Sequence, residues 1–543
     1  MVRAVCARGE RAAGRYGRRV TRAALRRLAT PALAVAVTLT LAGPGPTAAA
    51  TPADDAHRID HVARRVAAVA DDRPDGLATV EILVDEQDSA SAVGAAVRRL
   101  GGRVTGKVPG HLVQAAIPPD ALGPLRAAPG VAFVRLPLAQ HLRTAAAPAL
   151  GDIVGEQVAQ TNAAAWHAAG HRGAGIKIGI VDGFRGTSWD LAAAHGELPP
   201  RPDAAHTFCV LAGEPCDVWA LGIAHGVAVA EVIHEIAPSA ELYLATASTA
   251  ADLQAAVDWF VANGVTVVNR SLGAPLDGPG DGTGPFGAVA DDAVARGIAW
   301  FNSAGNEAGR DGERGSYYRA PFRDTDGDGW HEFVDPAGPE DGPAPEYLTL
   351  YCDGQPLLTS VRWDDFDDLT RATDYDVYVF AEPGAHDDHP LDAHPGLVAA
   401  STNPQGPATG GAPPLEHLDG PTCPWGATRY LSIKRHGAGT GGDGAADVLE
   451  IMAETDVSVW SNPYSATYPI ADSANPGVFA IGSVDAAGRI EPYSSEGPTN
   501  DGRVKPDFTT RADVTTDAMG RFRGTSASSA TAAGLAALVL SAG

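Results

Sequence analysis

Three side chains far apart in the sequence have the types needed to break an amide bond. Asp182 ends the apolar run IGIVD, His225 opens HGVAVAEVIHEIAP, and Ser526 lies within GTSASSATAAG. Amide hydrolysis asks for a nucleophile, a base with a pKa near neutrality and a group that orients the base; serine, histidine and aspartate meet those needs in that order. Each residue alone has a plainer reading. An aspartate at a strand's carboxyl end often caps the next helix, a histidine that opens a helix is often structural, and a serine in a first turn commonly only caps. His234 is given that structural reading. Taken together the three become a catalytic constellation, because a helix starting at Ser526 points amide N–H groups and the positive end of its dipole at a developing oxyanion. The small residues Thr525, Ala527 and Ala530 leave room for a substrate backbone, and Ala532, Ala533 and Gly534 let the helix thread a core.

The elements around them must bring them together. From residue 173 buried-type strands (IKIGIVD, ELYLAT, VTVVN, IAWFN, VFAIGS) alternate with helices, which implies a parallel sheet covered on both faces, with chemistry at the strands' carboxyl ends. In TAADLQAAVDWFVANG, Thr249 can cap the start, Leu253, Ala256, Val257, Phe260 and Val261 make one apolar face, and Asn263-Gly264 ends the helix. The alternation stops near residue 311 and resumes near 465, a gap too long for a loop. Within it YLTLYC, LTSVRW, YDVYVF, RYLSIKR and DVLEIM are short, β-prone and broken by Gly, Pro and Asp, as in a β-sandwich. Upstream, residues 60–137 read as strand, helix, strand, short helix and strand, a small α+β unit, followed by the loose run LRTAAAPALGD.

With VDG at Asp182, HG at His225, NRSLG at 269–273, SAGN at 303–306 and GTSAS at 524–528, residues 150–310 and 465–543 resemble the subtilisin-like serine proteases, the subtilases. The order Asp, His, Ser is the subtilisin order. The resemblance implies a subtilisin-like α/β fold with a doubly wound parallel sheet and a serine endopeptidase activity. It implies that Asn306 is the side-chain oxyanion donor, that Ser271, Leu272 and Gly273 form the edge binding extended substrate, and that Ser303, Ala304 and Gly305 wall the primary pocket. It also implies that residues 51–145 are a prodomain, which assists folding and then blocks the cleft until it is cut away within LRTAAAPALGD. Gly183 directly after Asp182, Val227 and Ala228 after HG, and Ala530 depart from the family's usual residues, but none removes a reacting group.

The totals set the surroundings. The formal charge of -25, from 41 Lys+Arg against 66 Asp+Glu, argues against nucleic acid or anionic membrane as a partner. An Arg-rich start, the apolar stretch ATPALAVAVTLTLAG and small residues at Ala48 and Ala50 describe a secretory signal peptide over residues 1–50, so a secreted protein is expected. Beyond it Cys209, Cys216, Cys352 and Cys423 are even in number; proximity favours Cys209 with Cys216 and Cys352 with Cys423, the alternative being free buried thiols. In DTDGDGWHEFVD, Asp324, Asp326, Asp328 and Asp335 fit an EF-hand-like calcium cage with Gly329 at its turn, the alternative being a solvated acidic loop. No cofactor is expected for catalysis.

The expected organisation is therefore a signal peptide, a prodomain at 51–145, a catalytic domain in two parts at 150–310 and 465–543, and an inserted β-sandwich at 311–464. The expected partners are protein or peptide substrates and the chain's own prodomain as intramolecular inhibitor, with the mature protein a monomer. Two rivals remain: an acid peptidase of the sedolisin type, for which Glu231 is the candidate acid, and a catalytically silent, calcium-braced adhesion protein.

Overall fold

Side chains that alternate between two covered faces build the first sheet, β3 being buried at every position. The helices and strands α1 (His61–Asp71), β1 (Ala78–Val84), α2 (Ala90–Arg99), β2 (Arg103–Val108), β3 (Leu112–Ile117), α3 (Leu122–Arg126) and β4 (Val131–Arg135) make a four-stranded antiparallel sheet of order β2-β3-β1-β4. Val80, Ile82, Val113 and Ala115 point to one face, where they share a core with Val66, Val97 and Leu125. Val108 and Leu112 face the other way and join the core of the next part. The computed structural model describes residues 61–85, 89–140, 155–310, 314–334, 344–383, 394–406, 412–436, 447–457 and 468–543. The expected leader, the expected cleavage run 142–152 and Asp335 lie outside the described residues.

The chain continues through α4 (Glu156–Gln160), α5 (Ala163–Ala168), β5 (Lys177–Val181), α6 (Gly186–His195), β6 (Thr207–Leu211), β7 (Glu214–Pro215), α7 (His225–Ile236), β8 (Glu241–Ala247), α8 (Ala250–Ala262), β9 (Val267–Arg270), α9 (Pro285–Ala295) and β10 (Ala299–Ser303). Helix α8 starts as expected: Thr249 Oγ1 accepts from the Asp252 N–H, and Asp252 Oδ2 from the Thr249 N–H, each at 3.2 Å. Such a reciprocal cap contributes about 1 kcal/mol. Cys209 and Cys216 form a disulfide with Cα atoms 5.0 Å apart.

Among the described residues nine strands follow: β11 (Tyr317–Pro321), β12 (Leu348–Tyr351), β13 (Pro356–Trp363), β14 (Asp374–Phe380), β15 (Leu397–Ser401), β16 (Leu415–Thr422), β17 (Thr428–His436), β18 (Val448–Ala453) and β19 (Asp456–Val457). They form two antiparallel sheets, β11-β18-β13-β16 and β15-β14-β17-β12-β19, around one core that includes Tyr318, Val361, Trp363, Val377 and Leu431. Cys352 is bonded to Cys423 within that core, with Cα atoms 5.2 Å apart.

After this region come β20 (Val478–Val484), β21 (Phe508–Arg511), the hairpin β22 (Val514–Thr516) and β23 (Gly520–Phe522), and α10 (Thr525–Ser541). Strands on both sides of the insertion combine in one eight-stranded sheet of order β21-β20-β10-β9-β5-β8-β6-β7, parallel except for β7. Helices α7 and α10 pack on one face of it, with α6 behind them, and α8 and α9 on the other. Gly534 makes the α10–α7 crossing possible, since a Cβ there would stand 2.9 Å from the Ile236 Cβ. Among the described residues no helix is long and apolar enough to cross a membrane.

Candidate active site

Asp182 follows β5 directly, and His225 is the first residue of α7. The two meet because α7 can approach the end of β5 closely: at Gly226 a Cβ would come within 2.6 Å of the Gly183 carbonyl. His225 Nδ1 lies 2.8 Å from Asp182 Oδ2 and 3.0 Å from Oδ1, with both side chains buried. A carboxylate can only accept, so Nδ1 carries a proton; in the neutral ring that leaves the lone pair on Nε2. The Gly183 N–H donates to Asp182 Oδ1 at 2.7 Å, and Thr246 Oγ1 donates to the Asp182 carbonyl at 2.8 Å. Gly183, one of the departures from the family's usual residues, thus helps to orient the carboxylate. Phe522 meets the imidazole edge-on, with ring centroids 5.4 Å apart.

Ser526 is the second residue of α10, where an amide N–H has no acceptor within the helix. Asn306 is held by the preceding residue: its Oδ1 accepts from the Thr525 N–H at 2.9 Å and from Thr525 Oγ1 at 3.1 Å, while Gly305 N–H donates to Thr525 Oγ1 at 3.2 Å. The backbone donor fixes which end of the Asn306 amide is oxygen, so the NH2 end is directed away from Thr525. Ser526, His225, Asp182 and Asn306 all line one cleft of about 1080 Å3. Among the described residues Ser526 Oγ makes no hydrogen bond to His225, a contact that commonly tightens only when substrate binds.

Ser526, His225 and Asn306 also line a smaller pocket of about 30 Å3 with Ser271, Leu272, Gly273, Ser303 and Gly305. The Ser271 hydroxyl is buried and lies 2.9 Å from that of Ser529, so this residue offers its backbone. Arg270, which the sequence did not single out, reaches back to donate to the carbonyls of Leu272 and Gly273, and burial pushes its pKa down to about 10. Ala304 is wholly buried and lines neither space, so the pocket wall is Ser303 and Gly305. Ala527 and Ala530, expected to leave room for substrate, are instead packed in the core beneath α10.

Glu231, the acid expected of the rival peptidase, has its carboxylate occupied elsewhere. It accepts from the N–H groups of Asp517 and Ala518, the latter at 2.9 Å, and burial still pushes its pKa up to about 8. It fixes the turn of the β22–β23 hairpin that leads into Ser526 and does not line the cleft. The carboxylates of Asp324, Asp326 and Asp328 have oxygens within 4.8 Å of one another. Asp324 already accepts from the N–H groups of Gly327 and Gly329 and from Arg435, at 2.7, 3.2 and 3.3 Å. The all-oxygen donor set fits a hard cation. It lies outside both spaces that contain Ser526.

Sequence reasoning also missed the residues that the insertion brings to the cleft, among them Tyr351, Leu358, Glu454 and Asp456, because their placement depends on how β12, β13, β18 and β19 pack. Gln140, just past β4, lines the cleft too: its N–H donates to the Ser248 carbonyl at 2.7 Å, and its Oε1 accepts from Arg270 Nε at 2.9 Å.

An α/β sheet thus brings Asp182, His225 and Ser526 to one cleft, and comparison with known proteins shows what the chain is similar to. Residues 425–543 match the Subtilase family model. Subtilisin E of Bacillus subtilis (strain 168) is 28% identical over 165 residues, covering 28% of this chain and 39% of the relative. The subtilisin of Bacillus pumilus is 28% identical over 165 residues, 54% of its own length. The CspB protease of Clostridium perfringens, a solved structure, aligns over 71% of this chain and 88% of its own at 13% identity and a TM-score of 0.43. The chain is thus similar to the subtilases over part of its length, and it spans less than half the length of subtilisin E.

Proposed function

We propose that the protein is a secreted serine endopeptidase, made as a zymogen, that cuts peptide bonds with Asp182, His225 and Ser526. The observation that carries this reading is the pair of bonds from Asp182 to His225 Nδ1, at 2.8 and 3.0 Å, in a cleft shared with Ser526 and Asn306. His225 Nε2 takes the Ser526 hydroxyl proton as Oγ attacks the scissile carbonyl. The oxyanion is stabilised by the Asn306 amide and the Ser526 N–H, and the imidazolium, held by Asp182, protonates the leaving amine. Water then repeats the cycle on the acyl-enzyme.

The unit from α1 to β4 acts as the prodomain. In support, Gln140 is tied to Ser248 and Arg270 beside the cleft, and Arg135 of β4 forms buried ion pairs with Glu81 of β1 at 2.9 Å and with Asp277 at 2.8 Å. A calcium ion held by Asp324, Asp326 and Asp328 braces the inserted region and takes no part in the chemistry. An active-site fluorophosphonate tests the reading: it should label wild type and spare Ser526→Ala, and the Ser526→Ala precursor should stay full length while wild type trims itself. Equal labelling of both proteins, or none, overturns it.

A further inference from the structure

Just past β4 the chain runs beside the end of β8, and its side chains alternate as in a strand. Leu138 is buried in the core that holds Ala247 and Leu272, Ala139 is exposed, and Gln140 is half-buried. The Gln140 N–H donates to the Ser248 carbonyl, a bond open to every residue but proline. Its side chain makes two bonds that few others could. Oε1 accepts from Arg270 Nε at 2.9 Å, and Nε2 donates to the Ala247 carbonyl. Gln140, Ala247, Ser248 and Leu272 all line the cleft that contains Ser526.

Arg270 is wholly buried, and its hydrogen bonds go to neutral acceptors: the carbonyls of Leu272 and Gly273, Asn302 Oδ1 at 3.2 Å and Gln140 Oε1. Among the described residues no carboxylate is hydrogen-bonded to it. Departure of the unit from α1 to β4 takes the acceptor from Nε and the donor from the Ala247 carbonyl. A peptide that then covers this spot without replacing both bonds leaves buried polar groups unsatisfied. An apolar side chain replaces neither. A carboxylate bonds the guanidinium but turns its second oxygen against the Ala247 carbonyl, and an ammonium brings a second cation beside the first. A carboxamide accepts and donates from one planar end, and the space holds one, since Gln140 fills it. A cut that frees the unit with this tail attached lies after Gln140, so the tail is held on the acyl side.

We propose that Arg270 Nε and the Ala247 carbonyl form a subsite that selects glutamine in the substrate, at one position on the acyl side of the bond that is cut. The inference rests on the peptidase reading, so the experiment measures the two separately. Fluorogenic peptides that carry Leu-Ala-Gln at successive distances before the cut are compared by kcat/KM in the self-processed protein, with active sites counted by fluorophosphonate. At one distance Gln should exceed Met and Lys about ten- to a hundred-fold, the scale of a buried bond to a charged donor, and should exceed Glu by less. Arg270→Met should erase the preference for Gln over Met, whatever it does to the overall rate. Because Arg270 also holds Leu272 and Gly273, a second measurement leaves it in place. In full-length Ser526→Ala, Gln140→Met should release the N-terminal unit at lower urea than its parent, read by faster amide exchange in β1 and β4, with Gln140→Glu between the two. The subsite alone is overturned by a labelled enzyme without a preference for Gln at any distance, by a preference that survives Arg270→Met, or by a Gln140→Met protein that holds its unit as firmly as its parent. A wild type that neither labels nor cleaves any of these peptides overturns both readings.

Discussion

A Cβ on Gly226 would stand 2.8 Å from the Asp182 Cβ, so the helix that carries the histidine is pressed against the residue that orients it. Gly226→Ala must push α7 away from the end of β5 and lengthen the bonds to His225 Nδ1. A displacement of about 1 Å at reacting groups can cost 100-fold in rate. The expected outcome is a loss of about that size in fluorophosphonate labelling rate and in kcat. A variant that labels at the wild-type rate would mean that the close approach has no part in positioning the base.

Asn306 and Thr525 give a second, separable effect. Asn306→Ala should lower kcat by about 100- to 1000-fold with little change in KM, the mark of a donor used in the transition state. Thr525→Val removes the hydroxyl that binds both Asn306 Oδ1 and the Gly305 N–H, so kcat should fall in the same direction by less. Thr525→Ser keeps the hydroxyl and should recover most of the rate.

What the sequence discloses depends on the range of the interaction. Asp182, His225, Ser526 and Asn306 stand out because each sits in a short run whose local form is set by its neighbours, and α8 reads correctly from its cap to its terminal Asn263-Gly264. Strand β2 escapes notice because its side chains are mostly exposed or half-buried, and α1 because its apolar face is recognisable only once β1 covers it. Ala304 reads as pocket wall from its place in SAGN, yet its methyl group packs inward. Glu454 carries no sequence signal at all. It comes to Ser526 through the packing of β13 and β18, which no local pattern encodes.

Arg135 links the N-terminal unit to the sheet that follows, since Glu81 and Arg135 belong to β1 and β4 while Asp277 follows β9. All three side chains are buried, and burial raises the Glu81 pKa to about 7 against the pull of the guanidinium. Arg135→Met strands two carboxylates in a dry interface, which costs about 3–5 kcal/mol. In the full-length Ser526→Ala protein the variant should release the N-terminal unit at lower urea than its parent, read by faster amide exchange in β1 and β4. Adding Glu81→Gln and Asp277→Asn should return most of the loss; if the triple variant is no better, the pairs are not what holds the unit.

His331 sets a pH limit on the inserted region. Its ring is stacked with Phe322 and packed edge-on to Phe333, Nδ1 accepts from the Arg323 N–H at 3.1 Å, and the other nitrogen meets the Tyr318 hydroxyl at 3.1 Å. A proton on Nδ1 would face another donor in a buried site, and desolvation pushes the pKa down to about 3, with Glu332 the nearby charge opposing it. The unfolded chain binds that proton near pH 6.5 while the folded one refuses it until about pH 3. The contribution is therefore fully present above pH 6.5 and is lost as the pH falls, by about 1.4 kcal/mol per unit, until the folded ring itself titrates. Urea unfolding followed by the fluorescence of Trp330 and Trp363 at a series of pH values should show this slope as a difference between wild type and His331→Gln, which keeps a neutral side chain. Parallel stability curves for the two proteins between pH 6.5 and 4 would mean that the buried imidazole accepts its proton without penalty.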